Sequence, residues 1–139
     1  MQIYESGLYL VKPSQDARWI ISTDELMAIR IKITSGFVSR ASLVSSLQES
    51  LKQSTGGNVA AIADETQMFM DALKDDVKKN DIYDFVNVPK KGLYILKNGK
   101  IKGNIPGTAF KQALFGIWLS NSPVDKNLRQ AMLAGGNIR

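Results

Sequence analysis

Apolar residues recur at every second position in some stretches of this chain and at every third or fourth in others, and the changes of period mark its elements. Residues 3–11, IYESGLYLV, are rich in aromatic and branched side chains and stop short of Pro13, as a strand does. Alternation puts Tyr4, Ser6, Leu8 and Leu10 on one face and Ile3, Glu5, Gly7 and Tyr9 on the other. The leucines turn the Tyr4 face inward. PSQDARWII then reads as a short helical turn that starts near Pro13 or Ser14, with Trp19, Ile20 and Ile21 as its apolar patch. In MAIRIKIT, Ile29, Ile31 and Ile33 alternate with Arg30, Lys32 and Thr34, which predicts a strand with one wet face.

The period lengthens at residues 39–53, where Leu43, Leu47 and Leu51 are spaced by four, and STGGN at 54–58 breaks that helix. A second helix is expected over DETQMFMDALKDDVKK. Asp64 and Gln67 stand at capping-box spacing, Phe69, Leu73 and Val77 form the stripe, and Lys78 and Lys79 suit the negative end of the dipole. Strands return at 81–88, 92–97 and 100–105, the last two around an Asn98-Gly99 hairpin signal. After Pro106-Gly107-Thr108, the residues Phe110, Ala113, Leu114, Ile117 and Trp118 make one apolar helical face. Ser122, Pro123 and Asp125 predict a capped restart, with Val124, Leu128, Ala131 and Met132 on the buried side and Gly135-Gly136 as the stop. Trp118 thus reads as the anchor of a helical corner rather than a platform for a ligand. The element order has hairpins and no βαβ alternation, which predicts α+β with a mostly antiparallel sheet covered by helices.

Composition narrows the chemistry. The 139 residues suit a single domain with a real core, and the chain has neither cysteine nor histidine. That excludes disulfides, thiolate metal sites, Ser-His-Asp and Cys-His catalysis and the usual zinc hydrolase sites. No catalytic residue, metal ligand or cofactor is assigned. A net charge of +5 raises the question of nucleic acid. Its densest part, Lys90, Lys91, Lys97, Lys100 and Lys102, surrounds a hairpin without an arginine cluster or a base-stacking aromatic pair. No nucleic-acid partner is expected. Apolar runs stop far short of the ~20 residues of a membrane span. The opening MQIYESGLYL lacks the parts of a signal peptide.

The second half of the chain carries a family signature. Asn98, Gly99, Gly103, Ile105, Pro106, Gly107, Phe110, Ile117, Trp118, Leu119, Pro123, Val124, Asp125 and Gly135 stand where the bacterial chalcone isomerase-like domain has an NG hairpin, G-x-I-P-G-x-x-F, I-W-L, P-V-D and a final glycine. Asn80 and Ser120 replace glycines of that pattern, and IYESGLYL is similar to the family's V-Y-x-x-x-L-Y-L strand. The chain therefore resembles that family over nearly its whole length. The resemblance implies an open-faced sandwich, an antiparallel sheet covered on one face by helices with a ligand cleft between them. It implies one such domain over residues 1–139 that lacks the family's N-terminal strand or strands.

In plant chalcone isomerases an early-strand arginine, a threonine or tyrosine on the next strand, and a tyrosine and an asparagine near the first long helix serve the reaction. In fatty-acid-binding relatives the arginine and a tyrosine hold the carboxylate. By this resemblance Tyr4 is the ligand-binding residue. The arginine would precede Met1, and GFVSRASLVSSL supplies neither Tyr nor Asn. The leading reading is a non-catalytic domain for a small apolar or amphipathic ligand such as a fatty acid, with Met68, Phe69 and Met70 lining its cleft. A closed core without a cavity stays open beside it. One alternative is an intramolecular lyase or isomerase of chalcone isomerase type, with Arg30 the nearest cation but facing outward by alternation. Another is an envelope interaction or structural module that docks through the basic hairpin at 90–102. A strand exposed at 3–11 would permit a homodimer through its edge. The location would be periplasmic if a signal segment lies upstream.

Overall fold

The alternation read from the sequence becomes a wall of buried side chains. Ile29, Ile31 and Ile33 are fully buried while Arg30 and Lys32 between them face solvent. The computed structural model describes residues 3–135. In it β1 (Tyr4–Leu10), β2 (Met27–Ile33), β3 (Ile82–Val88), β4 (Gly92–Lys97) and β5 (Lys100–Ile105) form one sheet in chain order, with every neighbouring pair antiparallel. β1 and β5 are its edges. The register aligns Leu8, Ile29, Phe85, Ile95 and Gly103 across all five strands on the inward face. The neighbouring inward row reads Ser6, Ile31, Tyr83 and Lys97.

Two tight turns set that register. Asn98 (φ 51°) and Gly99 (φ 83°) are both left-handed, as the two-residue turn of a twisted hairpin requires. Gly92 opens β4 with φ 95°, and a Cβ there would lie 2.2 Å from the Ile105 carbonyl oxygen. Only glycine fits that approach.

The helices are α1 (Ala17–Ser22), α2 (Arg40–Ser54), α3 (Ala63–Ala72), α4 (Ala109–Leu119) and α5 (Lys126–Leu133), with a 3-10 turn at Val59–Ile62 running into α3. α4 is central: it packs on α1, α2, α5 and β4. All its residues from Phe110 to Leu119 except Gln112 are buried. Gly116 lets α2 come close, since a Cβ there would meet Ser54 Oγ at 2.4 Å, and that hydroxyl donates to the Ala113 carbonyl at 2.7 Å. The α+β antiparallel sheet covered by helices, expected from the element order, and the open-faced sandwich that the resemblance implies are the architecture found.

Three helix ends differ from expectation. α1 starts after Asp16, whose carboxylate accepts from Trp19 N, while Ser14 Oγ accepts from Asp16 N one turn earlier. α3 is shorter than the 64–79 pattern and ends at Ala72. Its entry through the 3-10 turn makes Asp64 a first-turn residue instead of a cap, and Gln67 bonds Asp71 across one turn at 2.9 Å. Asp71, Asp75 and Asp76 crowd the end where a helix dipole disfavours negative charge. Lys97 donates to the Asp76 carbonyl and Lys102 pairs with Asp75, so the chain beyond Ala72 is held by β4 and β5. α5 is capped by Asp125, which accepts from Leu128 N, and not by Ser122. Val124 N already bonds the Ile117 carbonyl, which leaves Val124 exposed in the corner. Gly136 lies outside the described residues.

A regular feature closes the C-terminal ends of three helices. α1, α3 and α4 have no basic residue in their last turn. Each takes a cation from another element. Arg40 of α2 donates to the Leu73 and Met70 carbonyls at the end of α3, and Arg129 of α5 to the Leu119 carbonyl of α4. Lys111, fully buried in α4, donates to the carbonyls of Ile20, Ile21 and Thr23 at the end of α1, the last two at 2.7 Å. Burial pushes its ammonium down to about 8, opposed by the charge of Asp24. Lys111→Met keeps the packing volume but leaves those carbonyls without a donor. It should cost about 3 kcal/mol in urea unfolding, whereas Lys52→Met on the exposed face of α2 should change stability little.

Candidate ligand-binding face of the sheet

The inward face of β1 begins with Tyr4, half-buried, whose hydroxyl accepts a 3.2 Å hydrogen bond from Trp118 Nε1. The two rings meet edge-on at 6.2 Å between centroids, and Trp118 stacks on Phe85 at 6.4 Å. Trp118 is fully buried, so it is an anchor that ties α4 to β1 and β3 and not a surface for stacking a ligand. Burial raises the Tyr4 phenol above its usual range, with the Trp118 bond opposing.

One row further in lie two hydroxyls of another kind. Ser6 Oγ and Tyr83 OH are buried and have no hydrogen-bond partner among the described residues. Each stands on the face turned to the helices, with Ile31 between them. Desolvation pushes the Tyr83 phenol up to about 12, helped by the negative charges of Asp81 and Asp75. Lys97 lies 5.7 Å from the centre of that ring and 3.6 Å from Asp81, so the row ends in a neutralised cation. Both tyrosines stay neutral phenols near pH 7. They can donate and accept hydrogen bonds there but do not act as bases.

Arg30 lies on the opposite face. Its guanidinium is bidentate to Asp84 at 2.7 and 3.1 Å and sits 5.8 Å over the Tyr9 ring. It is therefore no partner for Tyr4. Phe69 does not line an open cleft: it is fully buried between Phe85 at 5.4 Å and Phe110 at 5.1 Å. Met70 is buried too, while Met68 is 41% exposed on a groove of about 310 Å³ between α3 and β5, beside Lys74 and Lys102. A second groove of about 340 Å³ runs along α4 past Ser54, Ala113 and Gly116. Of the five lysines at 90–102, Lys97 and Lys102 are engaged with Asp81 and Asp75. No cluster of three or more potential metal-ligating side chains occurs among the described residues.

Sequence reasoning placed Tyr4 and Ser6 inward and passed over Tyr83 and Lys111. The first omission had a readable signal. In DIYDFVNV, alternation already groups Tyr83 with Phe85 and Asn87. Lys111 had none, because a lysine in a helix normally marks the wet face.

A family model described as chalcone isomerase-like matches residues 1–134. The chain belongs to the chalcone isomerase-like family. Its fold is similar to that of a fatty-acid binding protein of Arabidopsis thaliana, with a TM-score of 0.78, 19% identity, and coverage of 94% of this chain and 76% of the plant protein. No curated protein matches the chain. At that identity the likeness speaks for the fold.

The Tyr83 shift has a definite pH consequence. An unfolded tyrosine loses its proton near pH 10 and the folded one near 12, so the unfolded state holds fewer protons between those values. The stability that Tyr83 contributes is complete below pH 10 and is lost as the pH rises toward 12. In urea titrations from pH 9 to 12, Tyr83→Phe should flatten this decline. It should match or exceed the wild type below pH 10, since it removes an unpartnered buried hydroxyl.

Proposed function

We propose that this chalcone isomerase-like domain is a non-catalytic binder of a small amphipathic carboxylic acid, of which a fatty acid is the simplest form. The observation that carries the reading is the pair of buried hydroxyls without partners, Ser6 Oγ and Tyr83 OH, on the sheet face turned to the helices. A buried hydroxyl without a partner costs about 1–3 kcal/mol. A carboxylate oxygen that accepts from either hydroxyl would relieve that cost. Tyr4, held by Trp118, borders that headgroup position, and its raised phenol remains neutral beside a bound anion. The aliphatic and aromatic side chains of the rows beyond suit an acyl tail. The Arabidopsis protein of similar fold is a fatty-acid binding protein, which supports the same ligand class. Nothing in this row requires bond making, because neither phenol is poised to move a proton near pH 7.

Native mass spectrometry of the purified protein, followed by denaturation, tests the proposal. An adduct of a few hundred daltons that is lost on denaturation is the expected result. In titrations with fatty acids of graded length, Tyr83→Phe and Ser6→Ala should each weaken binding about tenfold, the worth of one hydrogen bond to a charged group. Clean protein mass together with no saturable binding of any chain length would refute the reading.

A further inference from the structure

The end of the sheet that carries Tyr4 and the Ser6 row also carries an exposed aromatic. Phe37, in the loop between β2 and α2, is 94% exposed. It is not a loose residue. The next one, Val38, is buried, and Phe37 N donates to Ser35 Oγ at 3.1 Å, so the loop is fastened on both sides of the ring. The loop over residues 74–81 and the β4–β5 turn are stitched to the same end. Asn80 N bonds the Ile33 carbonyl at 2.8 Å, Asn98 N bonds the Ile82 carbonyl at 2.7 Å, and Asn98 Nδ2 bonds Asp81 at 3.1 Å. These segments bring Lys78, Lys79 and Lys100 to this end, all exposed and with no ion pair among the described residues. Ile101, 65% exposed, follows Lys100. Of the acids nearby, Asp81 pairs with Lys97 and Asp75 with Lys102, which leaves Asp76 and Glu5, the latter across from the exposed Lys32.

We infer that this end of the domain docks on an anionic lipid bilayer, with Phe37 entering the interface and Lys78, Lys79 and Lys100 facing the headgroups. A fixed ring that touches almost none of its own protein brings no pocket wall for a complementary protein side chain, but it can enter a fluid interface. Lysines around an apolar tip are the pattern that anionic surfaces attract. No helix among the described residues is long and apolar enough to cross a membrane. The docking itself does not require the ligand proposed above. Only its use, delivery of an acyl chain to the row behind this end, rests on that reading.

Co-sedimentation with vesicles of phosphatidylcholine alone and of phosphatidylcholine with phosphatidylglycerol tests the inference. The wild type should bind the anionic vesicles and not the neutral ones, and salt should weaken the binding. Phe37→Ala should bind about tenfold more weakly, the loss expected when one buried aromatic is removed from an interface. Lys78→Glu with Lys79→Glu should lose about thirtyfold or more, since two attractive charges are removed and two repulsive ones added. All three sites are exposed, so thermal unfolding should be unchanged and each variant should keep wild-type fatty-acid titrations. Absent binding, or equal binding by Phe37→Ala, would overturn the inference. So would self-association that depends on Phe37, which would make this end a contact between copies. None of these results would touch the fatty-acid proposal, which is read from the titrations alone.

Discussion

One ammonium group joins the two halves of this fold. Lys111 leaves α4, the most buried helix, and closes the end of α1, a helix of six residues too short to be stable alone. Without that donor the buried Ile20 carbonyl and the partly buried carbonyls of Ile21 and Thr23 would lose their shared partner. Phe115 lies 5.0 Å from the same ammonium, so the charge is held by carbonyl dipoles and a ring face in place of water. The position of α1, and with it the strand pair that α1 connects, follows from this contact. Arg40 and Arg129 repeat the device at α3 and α4, so the helical layer is built from helices that complete one another's termini.

The same helix organises the candidate site. α4 presents Lys111 toward α1 and, two turns on, Trp118 toward the sheet. There the indole holds the Tyr4 hydroxyl and covers Phe85. This contact makes the first row of the inward face rigid and leaves the second row, Ser6 and Tyr83, buried and short of partners. A folded chain that retains two such hydroxyls bears a stability cost, and binding of a polar headgroup is a physical reason to retain them. The outer face of the sheet is arranged differently: Arg30, Asp84 and Tyr9 satisfy one another there. Chemistry that needs a cation beside Tyr4 would have to draw it from a group other than Arg30.

Function and docking would meet at one end of the sheet. The loops that close the strand ends there are short and mutually bonded, which turns Phe37 into a fixed projection. An amphipathic ligand partitions into bilayers before it meets a protein, so a binding row close to a lipid-docking end would shorten its path.

Strands and their inward faces were legible from the sequence because a period of two reports burial directly. Ile29, Ile31, Ile33, Tyr4, Ser6 and Leu8 all lie where alternation put them, and the Asn98-Gly99 turn follows from backbone preference alone. The stripe of α4 and the anchoring role of Trp118 were equally legible, as was the family, since motif spacing survives in the chain. The helix ends were not. α3 stops at Ala72 because Arg40, Lys97 and Lys102 hold its exit from other elements, and α5 begins at Asp125 because Val124 is already bonded to α4. Nor could the chain alone reveal that Lys111 is buried, that Tyr83 OH lacks a partner, or that Phe37 stands clear of the core. Local pattern determines which face of an element is apolar. Which polar groups meet across elements, and which are left without a partner, depends on distances between segments far apart in sequence, and only the packed tertiary structure sets those.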